Sequence, residues 1–251
     1  MSNPRGSRAR VIAVIPSRLA STRLPEKSLA DIHGKPMVQW VYERTKNAKL
    51  VDEVVIATDH PKIQTVAQQF GAKVVMTSPE IQSGTDRVAA VADQMPADIY
   101  VNVQGDEPLM VPEAIDAAIE LVLSGKFPMS TVMTPLESEE ELLDPSVVKV
   151  IADAQARAIY FSRLSIPYSR GALPKAGGQF ACMRHVGLYV YARETLMRFR
   201  SLPPSLLEQA EVLEQLRAME AGIPIGIREV KFKSIGVDTP EDLEKVRRFL
   251  L

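Results

Sequence analysis

Residues 11–36 read VIAVIPSRLASTRLPEKSLADIHGKP. The apolar, largely β-branched run from Val11 to Ile15 predicts a buried strand that stops at Pro16. A loop follows with three cations, Arg18, Arg23 and Lys27, and Gly34-Lys35-Pro36 turns the chain into a helical pattern. Strand, cationic loop and helix is an arrangement suited to phosphate, because the strand end fixes the loop and the loop aims its cations at an anion. G-x-x-x-x-G-K-[ST] is absent, so side-chain charge must do most of the holding. The alternative is a solvated surface loop that happens to be basic.

Downstream the same alternation repeats. A helix is expected from Met37 to Ala48, a strand over Glu53–Ala57, a helix from Pro61, a strand over Lys73–Met76 and a helix over Gly84–Gln94. The strand Asp98–Val103 runs into Gln104-Gly105-Asp106-Glu107-Pro108, and Pro112–Leu123 is helical. Strands alternating with helices imply βαβ units and a parallel sheet, whose right-handed crossovers bring every strand-to-helix loop to one edge. Ligands bind at that edge, so the loops carrying Arg18 and Asp106 face one cleft.

After about residue 130 the alternation breaks. Thr131–Leu136, Val147–Ala152, Ala158–Ser162 and Val186–Tyr191 read as strands, with the Pro/Gly-rich IPYSRGALPKAGG at 166–178 between the last two. This predicts an inserted subdomain of antiparallel strands and loops, about 130–195, within a single α/β domain spanning 11–251. Glu208–Ala221 reads as one long helix and Ile225–Phe232 as a strand; a last helix runs from Thr239 to Phe249. Residues 1–10 are expected to be a disordered tail, and the short apolar run after them does not make a signal peptide.

Composition narrows the classes. The 251 residues carry 30 Lys and Arg against 31 Asp and Glu, a net charge of −1, which argues against nucleic-acid binding. One cysteine, Cys182, allows no intrachain disulfide and no cysteine metal cage. It sits in an apolar FACM context, unsuited to a reactive thiol. No apolar run approaches the ~18 residues of a membrane span.

Two carboxylates invite metal chemistry. Asp106 follows a buried strand at the ligand edge, where hard oxygen donors suit Mg²⁺ and substrate phosphates. Asp238 precedes Thr239-Pro240, but Thr239 with Asp242 forms the better capping box, which leaves the Asp238 carboxylate free. Ser83-Gly84-Thr85 opens a helix, and either hydroxyl could serve simply as a cap. His33 and His60 lie in turn contexts and are expected to be exposed. His185 begins a strand, a place where a hydrogen-bonded structural histidine is the more common finding.

PSRLASTRLPEKSL at 16–29 resembles the signature loop of nucleotidyltransferases that activate acidic sugars, most closely the 3-deoxy-manno-octulosonate (KDO) cytidylyltransferases. That family usually has Ala at Ser17 and Pro at Ser28; neither departure removes a cation. QGDEP at 104–108, RHVGLY at 184–189, LEQLR at 213–217 and GVDTPEDL at 236–243 resemble further motifs in family order. The resemblance implies a nucleotide-diphospho-sugar-transferase-like fold. It implies transfer of CMP from CTP to the anomeric hydroxyl of KDO, and a homodimer in the cytoplasm that feeds lipopolysaccharide synthesis. Carried over residue by residue, Arg18 and Lys27 hold the triphosphate, and Asp106 and Asp238 bind Mg²⁺. Ser83, Gly84 and Thr85 lie against the nucleotide. Gln104, Arg163, His185, Tyr189, Glu214 and Gln215 line the sugar pocket, with Arg163 reading the sugar carboxylate as a planar fork. For Glu214 an ordinary solvated helix face is the alternative. Rival functions are the same chemistry on a nonulosonic acid or 8-amino-KDO, a metal-dependent glycosyltransferase, and a non-catalytic nucleotide sensor.

Overall fold

The computed structural model describes residues 8–250 except 22, 169, 171–174 and 177–178. The first half alternates as expected: β1 Val11–Ser17, a 3₁₀ turn Lys27–Leu29, a small hairpin of β2 Asp31–Ile32 and β3 Lys35–Pro36, α1 Met37–Lys46, β4 Glu53–Thr58, α2 Pro61–Gln69, β5 Lys73–Met76, α3 Gly84–Gln94, β6 Ile99–Val103 and α4 Pro112–Leu123. The second half holds β7 Met129–Thr134, α5 Glu139–Leu143, β8 Lys149–Ala152, β9 Ala158–Ser162, β10 Lys175–Ala176, β11 Gln179–Phe180, β12 Met183–Ala192, α6 Arg193–Ser201, α7 Leu206–Glu211, α8 Gln215–Glu220, β13 Ile225–Glu229 and α9 Pro240–Phe249.

The main sheet runs β13-β7-β12-β6-β1-β4-β5. β1 pairs in parallel with β4 and β6, β4 with β5, and β7 with β13. Only β12 reverses, antiparallel to β6 and β7. β1 is central and buried on both faces: Val11, Ala13 and Ile15 join one core cluster, Ile12 and Val14 the other. Each large aliphatic buried this way contributes about 1.5–3 kcal/mol.

Pro16 does not end β1 as expected. It lies within the strand, but pairing with β6 stops at Val14–Asn102, so the missing N–H falls where the two strands part. There Gly105 crosses so close to β1 that a Cβ would stand 2.8 Å from the Pro16 carbonyl oxygen. This parting of β1 and β6 at their carboxyl ends opens the crevice that holds the site.

The stretch expected as an inserted subdomain divides. β7 and β12 are strands of the main sheet, while β8 and β9 extend it beyond the start of β12. The one helix expected over 208–221 is two, because Val212 takes a left-handed backbone (φ 53°) between α7 and α8. The expected tail lies largely outside the described residues. Arg10, however, is tied down: its N–H donates to Asp98 at 2.7 Å and its guanidinium to Glu53 at 2.9 Å. Among the described residues no helix is long and apolar enough to cross a membrane.

Candidate active site

The carboxyl edge of the sheet carries a charged cluster and, along β6 and β12, a buried cluster of mostly uncharged polar side chains, called here the inner pocket. At the edge Lys27 Nζ donates to Asp106 Oδ2 at 2.7 Å and to Asp238 Oδ1 at 3.0 Å. Arg23 approaches the other Asp238 oxygen at 3.0 Å. The carboxylates are 211 and 79 positions from Lys27 in the chain, and a backbone bond from Val237 N to Asp106 O (2.9 Å) joins their loops directly. Asp238 is free for this because Thr239 and Asp242 form the capping box of α9. Burial works against the Lys27 ammonium, but the charges and hydrogen bonds of Asp106 and Asp238 prevail and hold its pKa above the ordinary lysine range. Arg18, at the end of β1, is exposed and reaches only Gln82, at 3.4 Å.

Two carboxylates converging on one ammonium form a cation site of hard oxygen donors. Among the described residues no group of three or more His, Cys, Asp or Glu forms a metal cage. The pair fits Mg²⁺, which is commonly held by one or two carboxylates with water and substrate phosphate completing its shell.

Glu107, directly behind Asp106, was not anticipated. It is 9 % exposed and accepts from Ser234 Oγ at 2.9 Å. Burial, with the neighbouring Asp106 charge, pushes its pKa up to about 7.

The inner pocket lies along β6 and β12. Tyr189 stands opposite Asn102 in the antiparallel register and donates to Gln215 Oε1 at 2.9 Å. Thr85 Oγ1 donates to Glu214 Oε2 at 2.7 Å, so Glu214 lies against α3 instead of on a solvated helix face. Burial raises the Glu214 pKa against the opposing Thr85 hydrogen bond. The break at Val212 is what turns Glu214 and Gln215 inward. Gln104 donates to Asn102 Oδ1 at 3.2 Å and packs over Gly187, where a Cβ would stand 3.1 Å from its side chain.

His185 bonds Thr131 Oγ1 at 3.0 Å through Nε2 and meets Phe161 edge-on at 4.9 Å. It is half-buried at the pocket wall, yet packed densely enough that desolvation depresses its pKa to about 3. The ring is therefore neutral at ordinary pH.

Ser83 and Gly84 open α3 as expected, and Arg163 departs from its expected place. Ser83 caps α3 by accepting from Asp86 N at 3.0 Å. Gly84 is the first residue of α3 and faces Asn102 and Gln104. Arg163 does not present a fork to the pocket. Its guanidinium is engaged by three backbone carbonyls, of Glu211 (2.7 Å), Pro145 (3.1 Å) and Val212 (3.3 Å), and fastens β9 to the α7–α8 junction. Of the other histidines, His33 is exposed, and His60 caps α2 by accepting from Lys62 N at 3.1 Å. Cys182 is buried, and burial pushes its thiol pKa up.

Sequence reasoning passed over Asn102, Glu107 and Arg87. Arg87 is buried and holds the 77–81 loop through Thr77, the Ile81 carbonyl (2.9 Å) and Asp59 (3.0 Å). For Asn102 and Arg87 a signal existed, a polar or charged residue inside an otherwise apolar buried pattern; Glu107, in a polar loop, carried none.

Comparison with known proteins shows the family to which the chain belongs. The cytidylyltransferase family model matches residues 12–232. A 3-deoxy-manno-octulosonate cytidylyltransferase of Geobacter sulfurreducens is 51 % identical over 94 % of this chain and 97 % of its own length. One from Bdellovibrio bacteriovorus is 43 % identical over 96 % of this chain and 98 % of its own. A solved CMP:2-keto-3-deoxy-manno-octonic acid synthetase complexed with CTP superposes with a TM-score of 0.89 at 44 % identity, covering 96 % of this chain and 98 % of that one. A cytidylyltransferase from Leptospira borgpetersenii shares the fold (TM-score 0.61, 17 % identity, 96 % and 86 % covered).

Proposed function

Since the chain belongs to the cytidylyltransferase family, we propose that it transfers CMP from CTP to the anomeric hydroxyl of KDO, giving CMP-KDO and pyrophosphate for lipopolysaccharide synthesis. The observation that carries this reading is the pairing of a convergent Lys27–Asp106–Asp238 edge with a separate neutral pocket along β12. The edge suits a triphosphate and the pocket suits a sugar rich in oxygen.

The sugar hydroxyl would attack the α-phosphate in line, and pyrophosphate would leave without a protein nucleophile. Asp106 and Asp238 would hold Mg²⁺, which when bound supplies charge neutralisation at the α-phosphate and acidifies the attacking hydroxyl. Lys27, released from the carboxylates, and Arg18 would neutralise the leaving phosphates. Catalysis on this reading is positioning plus preorganised charge. Gln104, Tyr189, Glu214, Gln215 and His185 would orient the sugar, with neutral His185 acting by hydrogen bonding.

The proposed assembly is a homodimer in the cytoplasm. The exposed apolar side chains of Leu143, Leu164, Tyr168 and Val212 support it, because they gather where β9, α5 and the α7–α8 junction meet. Incubation with CTP, Mg²⁺ and a panel of acidic sugars tests the whole reading. Pyrophosphate release with KDO above all others is the expected result. Preference for 8-amino-KDO or a nonulosonic acid would move the substrate, and CTP binding without turnover would favour a nucleotide sensor.

A further inference from the structure

Asn102 sits on β6, four residues before Asp106, and is 1 % exposed. Side chains alternate along the strand, so Asn102 shares the face of Tyr100, away from Val101 and Val103. Its Oδ1 is occupied by Gln104 Nε2 at 3.2 Å, which turns Nδ2 the other way. That nitrogen is buried and has no partner. Gln215 repeats the pattern: Oε1 takes the Tyr189 hydroxyl at 2.9 Å, and Nε2 is buried and unpartnered.

The two orphan amides flank Tyr189, one through the β6–β12 register and the other through its hydroxyl. Gly84 is the residue that faces this nitrogen: a Cβ there would stand 3.6 Å from Nδ2, at ordinary contact distance. A buried N–H without an acceptor is a standing penalty, and folded proteins rarely leave such donors unmet. Both free ends are donors only, so they call for a group that only accepts. A carboxylate is such a group, whereas a hydroxyl also carries a proton to place. The nearby cations are committed elsewhere, Arg163 to backbone carbonyls and Arg217 to Glu208 at 2.7 Å.

We propose that Asn102 is a specificity-determining residue whose Nδ2 donates to a carboxylate oxygen of the acidic sugar, so that the anion is read by neutral amides in place of a guanidinium. This rests on the acidic-sugar reading above. The test compares wild type, Asn102→Leu and Asn102→Asp by calorimetric CTP affinity, by thermal melting and by kinetics on KDO and its C1 carboxamide. Asn102→Leu should raise the KM for KDO about tenfold or more, as expected for a lost hydrogen bond to a charged group. It should leave the Kd for CTP within about twofold and shrink the preference for KDO over the carboxamide. The Tm should change little, because the variant removes a buried unpaired donor along with the hydrogen bond from Gln104. Asn102→Asp should be worse than Leu, setting carboxylate against carboxylate. Unchanged KDO kinetics in Asn102→Leu, an equal loss of CTP affinity, or an Asp variant as good as Leu would overturn the proposal. Should Asn102→Leu fail to fold, Asn102→Ala removes the same nitrogen and is decided by the same contrast between KDO and CTP. Wild type inert toward every acidic sugar would instead sink the functional reading itself.

Discussion

The charged edge and the neutral pocket share one crevice and use opposite physics. At the edge, Lys27, Asp106, Asp238 and Arg23 are partly open to solvent and arranged as alternating ion pairs. In the pocket, Thr85, Tyr189 and Gln215 are buried and uncharged, and the ionisable members are pushed toward neutrality, Glu214 upward and His185 down to about 3. On the proposed reading, charge would meet phosphate where water screens it, and neutral donors and acceptors would meet the sugar where an unpaired charge is costly. The difference teaches which losses each region tolerates: the edge should fail in turnover, the pocket in sugar selection.

The sharpest break of that contrast is Asp106→Asn or Asp238→Asn. Each should lower kcat by at least ~10²–10³-fold, the scale of losing a preorganised charge-stabilising group, with far-UV circular dichroism unchanged. Near-normal turnover in either would remove that residue from the edge.

Lys27→Met should lower kcat about 10²-fold, again as the loss of one charge-stabilising group. It also leaves Asp106 and Asp238 facing each other without their ammonium, so melting should become more dependent on Mg²⁺ than in wild type. Equal Mg²⁺ shifts in the two proteins would show that Lys27 does not occupy the cation position.

Glu107 tests where the edge becomes interior. Its folded pKa of about 7 lies above the ordinary value of 4.5, so the folded state favours the protonated form. This stability is fully present below pH 4.5 and is lost as the pH rises through 7. Glu107→Gln should match wild type near pH 4.5 and exceed it above pH 8 by ~3–4 kcal/mol in metal-free melts, at roughly 1.4 kcal/mol per pH unit of difference. A parallel pH dependence in both proteins would place a charged, compensated carboxylate at 107.

The smallest effect separates fold from pocket. Arg163→Lys should cost ~1–2 kcal/mol of stability, since an ammonium cannot span three carbonyls, and should leave the KM for KDO unaltered. A raised KM at unchanged stability would return Arg163 to the sugar.

The parallel half was legible because β1, β4 and β6 are buried on both faces and its helices carry a regular apolar stripe. Val11–Ile15 and Glu53–Ala57 admit few other readings. The edge was legible for the same reason: Lys27 and Asp106 sit where the alternation places loops at one side of the sheet. What the sequence hid is non-local. β12 intrudes between β6 and β7 through pairings 50 to 93 residues apart, which no local period reports. The commitment of Arg163 to carbonyls depends on where the 211–212 backbone runs, and the helix break at Val212 carries no Gly or Pro to announce it. Orphan amides cannot be read from composition at all, because an unmet donor is a property of surroundings.

Val212 also decides what its neighbours can reach. On an unbroken helix, residues three and four apart share one face, so Glu211, Glu214 and Gln215 would all point to the same side. With the chain redirected at 212, Glu211 instead turns to β9, accepting from Ser162 Oγ at 2.7 Å and Arg163 N at 2.9 Å. Glu214 and Gln215 turn to Thr85 and Tyr189. Five consecutive residues thus act as a hinge pin joining the outer strand of the sheet to the floor of the crevice. A β-branched residue in the left-handed region costs on the order of 1–3 kcal/mol, which glycine would avoid. Val212 is therefore held in place by what lies on either side of it, and the direction of the chain there matters more than the comfort of the residue that makes the bend.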